Sequence, residues 1–539
     1  MIRNEYSPFL SKLTPLSLGI LSVFCNISFA SIIADPNANI NNKPIITKGI
    51  NNQNQNIPII QIATPNHGIS HNHYQEFSIN SAGIILNNSR TGTNTQIAGK
   101  ISANPFLQKG EAHTIINEVR GNRFSALSGD LEVAGQKANV IIANPNGINV
   151  QGLGFINVHE ATLSTGKIIN QQGKIDHQIK SGEIYFQNKN GYAIGGNNKN
   201  RPDYINLYAK ALEINSNIFA NHGIMVVAGE NGSDDKNNNT IENKNSKNHI
   251  INVRDLGGMY ADGIYLISNQ KGLGVYQAGT LKANHNLIIS SNGSLGNAGT
   301  LESTHGDIYL NGQNSVILSN GKINAQNGSI KINTKSASIH KTHIHSKQDI
   351  DIKSEENLGI NGANIKSSEG DIHIFAKKSL SLFNTNSETP IGNINIISNQ
   401  SIMTDNTNIN ANKDILLAAL ENVSFHKNST FTSKENINSF SHKNQILENT
   451  NLKSNKNIQI QIQTGELKLD RANILSDGHS IIYSGGNQIT NNSTISAKGI
   501  VSNIAKGDHD IIGTSRHTGT AVLLKTNKLA IDNEGQLII

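Results

Sequence analysis

From about residue 281 the chain repeats itself every 20–22 residues, and that period excludes most folds. Rows begin at Leu281, Leu301, Ile323, Ile344, Ile365, Ser387, Ile409, Phe431, Leu452, Ile474 and Ile495. Most open apolar–polar–small, pass a turn and resume with alternating apolar residues, as in Ile365-Lys-Ser-Ser-Glu-Gly-Asp-Ile372-His-Ile374. Period-two alternation puts Ile on one face and polar residues on the other, which is the pattern of a strand. A unit this short cannot bury its own apolar face, so units must stack into a solenoid. The expected fold is all-β: a right-handed parallel β-helix (β-solenoid) with one coil per repeat. At ~4.8 Å between neighbouring strands, eleven coils extend roughly 50 Å. About 80 Asn and 48 Gly supply turn formers. Between residues 203 and 539 the one proline is Pro390, which suits sheets that need every backbone donor. Asn stacked at equivalent turns are expected to form side-chain ladders. A β-sandwich array is the competing architecture, and the constant short period argues against it.

The N-terminus has the pattern of a secretory signal. Arg3 and Lys12 precede a mainly apolar run over 13–24, and Ser28-Phe29-Ala30 places small residues at −3 and −1. Cleavage is expected between Ala30 and Ser31, making 1–30 the signal peptide. The run falls short of the ~20 residues of a membrane span. Cys25 is the single cysteine, and bulky Phe24 before it disfavours a lipoprotein signal. The mature chain would have no disulfide and would rest on packing and backbone hydrogen bonds. The net charge of +6 is dilute, with no block of five or more Lys/Arg, so no nucleic-acid partner is expected.

Residues 31–280 are less regular. They hold strand-like runs such as Ile59-Ile60-Gln61-Ile62 and Gly83-Ile84-Ile85-Leu86, and 229–249 are so polar that they suggest a loop leaving the axis. Val140-Ile141-Ile142, Asn144-Pro145-Asn146-Gly147 and Ile148 predict strand, tight turn, strand. Around that turn several motifs occur in order. They are Asn87-Asn88-Ser89, Gln96-Ile97-Ala98-Gly99, Asn104-Pro105, Ile115-Ile116-Asn117-Glu118-Val119, Leu131-Glu132-Val133-Ala134-Gly135, Gly154-Phe155-Ile156-Asn157 and Ala161-Thr162-Leu163-Ser164-Thr165-Gly166.

This series resembles the haemagglutination-activity, or two-partner-secretion, domain of Gram-negative exoproteins. Filamentous haemagglutinins, large haemolysins and contact-dependent inhibition proteins share it. The resemblance implies a partner, a dedicated outer-membrane β-barrel transporter that engages the domain through periplasmic POTRA domains. It also implies that the domain nucleates the β-helix outside the cell. On this basis 31–280 are that domain, a β-helix with extra-helical loops, and 281–539 are the repeats. Secretion competence falls to Asn104, Pro105, Asn117, Glu118, Asn144, Pro145, Asn146, Gly147 and Ile148. Two departures stand out. The family's Asn-Pro-Asn-Leu is here Asn104-Pro105-Phe106-Leu107, and the C-x-x-C of some members is replaced by Val150 and Leu153, an apolar pair that can pack where a disulfide would crosslink.

Other chemistry is thin. His71-Asn72-His73 superficially spells a nuclease signature, but its polar surroundings predict a solvated turn. If 343–345 form a strand, His343 and His345 share a face near His340 and could bind a transition metal, though a solvent-facing polar row is the expectation. With no Ser/His/Asp constellation, Walker loop or convincing pair of carboxylates, we expect no catalytic residue, no cofactor and no metal. The expected function is a secreted or surface-exposed adhesin that contacts host cells, matrix or other bacteria. The alternatives are a cytolysin, the stalk of a contact-dependent-inhibition toxin without its effector, and a carbohydrate-active β-helix enzyme with a charged groove. The last apolar coil reaches Ile539 without a polar cap, which predicts a truncated chain.

Overall fold

The computed structural model describes residues 31–187, 191–196, 200–231, 249–272, 274–532 and 534–538. Among these residues there are strands, turns and one 3-10 turn at Ile40–Asn42, with no α-helix. The strands wind into a parallel β-solenoid with three-sided coils. One regular coil runs through Thr280–Ala283, Leu287–Ser291 and Ser294–Asn297, and the next opens at Thr300–Ser303. Each strand pairs in parallel with its counterpart one coil on: Leu281 with Leu301, Leu287 with Ile308, Leu295 with Val316. The row starts from Leu281 to Ile495 form one unbroken column of register partners. The all-β solenoid with one coil per repeat is therefore what the chain forms. Its ladder also extends upstream of the regular repeat, since Ile218 pairs Met259 and Met259 pairs Leu281.

The period of two explains the core. Ile330, Ile350, Ile372, Ile394, Ile415, Ile437 and Ile458 stack in register on the inner face and are all fully buried. At about 1.5–3 kcal/mol for each buried side chain, such columns dominate the favourable side of folding. From residue 320 to 513 one corner of each coil demands a left-handed residue. Asn320, Lys341, Gly362, Asn384, Asn406, Asn428, Asn449, Arg471, Asn492 and Gly513 occupy it, with φ between +44° and +70°. Asn tolerates this region better than other side chains do, which accounts for part of the Asn excess. The expected ladders are present: the Asn384 amide donates to Asn361 (3.2 Å), Asn406 to Asn384 (2.9 Å) and Asn449 to Asn428 (2.7 Å). Exposed Lys341 sits in this corner at φ +44°. Lys341→Gly is expected to stabilise the solenoid by about 1 kcal/mol, because the left-handed cost of a β-carbon outweighs the added chain entropy. A melting curve of the variant checks this.

The N-terminal edge is closed differently. Strand Ile32–Ala34 lies antiparallel on Ile69–Phe77, the outermost strand of one side. A second antiparallel pair, Ile45–Ile50 with Asn56–Gln61, places its inner strand on Ile84–Asn88. These strands cover an edge that would otherwise offer unpaired backbone groups. Two hairpins leave the coil, Thr93–Thr95 with Gly99–Ile101 and Lys167–Gln171 with Lys174–Gln178. Most of the polar excursion (232–248), the signal segment with Cys25, and Ala30 lie outside the described residues. Ser31, the expected first mature residue, donates its hydroxyl to Glu76.

Candidate functional site

Strands Ile69–Phe77, Thr114–Val119 and Ala138–Ala143 lie side by side at the start of one ladder. The inner face there sets Ser70, Asn72 and Asn117, all fully buried, among core residues Ile115, Val119, Val140 and Ile142. Buried polar groups need partners, and these have them. Asn72 Oδ1 accepts from the Ala63 N–H at 2.8 Å and its Nδ2 donates to the Ile116 carbonyl at 3.1 Å. Asn117 Oδ1 accepts the Tyr74 hydroxyl at 3.0 Å.

The two Asn-Pro motifs are structural twins. In each, the carbonyl of the first residue accepts the N–H three residues on: Gly147 to Asn144 at 3.0 Å, Leu107 to Asn104 at 3.3 Å. The side-chain oxygen caps the turn from inside, taking the N–H of Asn146 at 3.0 Å and of Phe106 at 3.0 Å. The amide then staples the turn to distant chain. Asn144 Nδ2 donates to the Arg123 carbonyl (2.9 Å) and Ser125 Oγ (3.0 Å), and Asn104 Nδ2 to the carbonyls of Ile62 (3.1 Å) and Asn87 (2.9 Å). Asn146 adds a bond to the Gly121 carbonyl at 2.8 Å. The turn expected at 144–147 is thus present, with Gly147 at φ +110° and Ile148 buried. Phe106 does not disturb the first motif, because the turn uses its backbone N–H, and Leu107 is buried in the core. Val150 and Leu153 are both fully buried in the main core.

Glu118 points the other way, onto the outer face. There the structure overturns the solvated-turn expectation for His71-Asn72-His73. These residues lie within strand Ile69–Phe77, and Asn72 and His73 are buried. Both imidazoles converge on one carboxylate oxygen: His71 Nε2 is 3.0 Å and His73 Nε2 3.5 Å from Glu118 Oε2, with Arg120 Nη2 at 3.3 Å. The hairpin at 167–178 roofs this face. Ile168 packs with Ile69, Ile116, Ile141 and Ala143, and its N–H reaches Glu118 Oε1 at 3.2 Å. Burial pushes the Glu118 carboxyl up, but the His71 hydrogen bond and charge, the Ile168 N–H and Arg120 together hold it below its ordinary value. Burial above all, aided by His71 and Arg120, lowers His73 to about 4.

The expected site residues therefore fall into two places. Asn117 and Glu118 pair with Ile142 and Ala143, directly before the Asn144–Ile148 turn. Asn104 and Pro105 occupy another corner, tied to Ile62 and Asn87. Reading the sequence missed His71 and His73 as partners of Glu118, although their spacing of two already placed them on one strand face. The other histidine group is a surface row: His343 is exposed, and both ring nitrogens of His345 are engaged, at 3.0 Å each, by Asn324 and Ser368.

Residues 30–297 match the family described as TPS secretion domain. The chain is 38% identical over 303 residues to the "Toxin CdiA" of Yersinia pestis, covering 54% of this chain and 9% of that protein. It is 31% identical over 288 residues to the filamentous hemagglutinin of Bordetella pertussis, covering 51% and 8%. The chain thus spans less than a tenth of the length of these relatives. The crystal structure of a filamentous hemagglutinin secretion domain is 27% identical, covers 56% of this chain and 96% of that one, and superposes with a TM-score of 0.45.

Proposed function

We propose, from the premise that this chain belongs through its N-terminal half to the two-partner secretion exoproteins, that it is an adhesin-like protein passed through the periplasm to the cell surface or medium by a POTRA-bearing outer-membrane barrel. The observation that carries this reading is continuity. The secretion domain runs into the repeats through one ladder, Met259 to Leu281 to Leu301, so coils ordered at the N-terminal end template those that follow. The working surface is the long outer side. Its charges pair across neighbouring coils, as in Lys366–Glu388 (3.4 Å), Lys377–Glu355 (3.4 Å) and Lys443–Glu421 (3.1 Å). Such exposed pairs contribute about 0–1 kcal/mol each, and they leave a mixed-sign surface suited to a broad, non-catalytic contact with host cells, matrix or other bacteria.

Co-expression with and without the barrel tests export. The chain is expected in the medium only when the barrel is present, and equal amounts without it would overturn the reading. A second reading, the stalk of a contact-dependent toxin, is favoured by the 38% identity to Toxin CdiA. Purified protein that binds host cells or matrix supports the adhesin. Contact-dependent delivery of a toxin domain fused to the C-terminus into neighbouring bacteria supports the stalk.

A further inference from the structure

The geometry points to a divalent transition-metal site formed by His71, His73 and Glu118 on the outer face of the first coils. Among the described residues this is the single group of three His/Cys/Asp/Glu whose ligand atoms all lie within 4.8 Å of one another. A second observation points the same way. His73 is 4% exposed, and neither of its ring nitrogens has a hydrogen-bond partner. A buried polar group left in this state is costly, and a metal ion would satisfy it.

The spacing suits a small cation. With metal–ligand bonds of about 2.0–2.2 Å, tetrahedral donors lie roughly 3.2–3.6 Å apart. Glu118 Oε2 is 3.5 Å from His73 Nε2, within that range, and 3.0 Å from His71 Nε2, a few tenths short of it, a gap that a small side-chain rotation opens. Backbone register fixes the donors in advance. His71 and His73 alternate on one strand face, and His73 is the register partner of Glu118. The other Glu118 oxygen is oriented by the Ile168 N–H, the kind of outer support that metal carboxylates use. Two imidazoles and one carboxylate select Zn²⁺, Co²⁺ or Ni²⁺ over Ca²⁺ or Mg²⁺. The Arg120 guanidinium shares Oε2, but its side chain is 45% exposed and can swing into solvent as the ion enters. A bound ion would clamp the capped edge strand Ile69–Phe77 to Thr114–Val119, the strand that carries Asn117.

The test uses the purified full chain after chelation. Cobalt titration is expected to give one equivalent of bound metal with a visible absorption band, and zinc is expected to raise the melting temperature. His73→Gln, which keeps a polar side chain of similar reach, should weaken cobalt binding roughly tenfold or more and remove the zinc-induced shift while circular dichroism stays that of the wild type. Glu118→Gln is expected to do the same. An ion-pair network alone predicts a melting temperature indifferent to zinc and cobalt binding equal in wild type and His73→Gln, and that result would overturn the site.

Discussion

Asn144→Ala is expected to destabilise the N-terminal coils by about 3–5 kcal/mol and to stop the chain from reaching the medium. The magnitude follows from what one amide holds. Asn144 is fully buried, its oxygen takes the Asn146 N–H, and its nitrogen serves the Arg123 carbonyl and Ser125 Oγ. Truncation strands these groups where water cannot replace the lost partner, at about 1–3 kcal/mol for each buried group left unpaired. Neighbouring positions grade the effect. Asn146 is exposed, so Asn146→Ala should cost under about 1 kcal/mol. Asn104→Ala should resemble Asn144→Ala, because the same three bonds are made there. Denaturant unfolding of purified variants, set beside the secreted fraction, separates two roles. Loss of both stability and export supports a structural staple. An Asn144→Ala protein as stable as the wild type would falsify that account.

Acid is expected to open the C-terminal coils between pH 6.5 and 4. His509 and His517 are buried at 1% and 0% exposure, their rings perpendicular with centroids 5.9 Å apart. Their nearest polar partners are Thr490 Oγ1, 3.2 Å from His509 Nε2, and Asn503 Nδ2, 3.4 Å from His517 Nε2. Burial lowers both to about 4, and for His517 the charge of His509 adds to it. Unfolded, each titrates at its ordinary 6.5, so the unfolded chain binds more protons over this interval. The stability is therefore complete above about pH 6.5, falls as pH drops toward 4, and levels off below. A shift of this size is worth about 3 kcal/mol for each histidine. A solenoid need not unfold all at once, so the loss should be local. Hydrogen exchange is expected to show Ile500–Ala505 and His509–Ile512 losing protection on acidification while Ile372–Ala376 keeps it. Replacing both histidines with Leu should abolish the difference. Protection at 500–512 that is indifferent to pH in the wild type would refute the mechanism.

The repeat was legible because two periods coincide: alternation marked the inward residues and the 20–22-residue interval marked their register. Even Ser387 was placed correctly, buried between Ile365 and Ile409. The same logic failed where inward residues are polar. Strand Ile69–Phe77 turns Ser70, Asn72 and Tyr74 inward and His71 and His73 outward, so its sequence has little apolar alternation and follows a turn rich in Pro65, Asn66 and Gly68. The interior at Gln445, Gln488, Asn503 and His509 was hidden for the same reason. Within the site, the Asn-Pro turns were readable from turn chemistry. Their staples to Ile62, Asn87 and Arg123 were not, because those carbonyls lie 17 to 42 residues away and leave no side-chain signature.

The antiparallel strand Ile32–Ala34 gives the molecule a polarity of assembly. With that end sealed, growth has one open direction, and each new coil needs contacts only about one repeat back along the chain. Folding then behaves as a ratchet: every coil that docks buries its isoleucines and makes backward slippage costly. Growth from the sealed end is then downhill in free energy at every step, because each docking coil removes its apolar face from water.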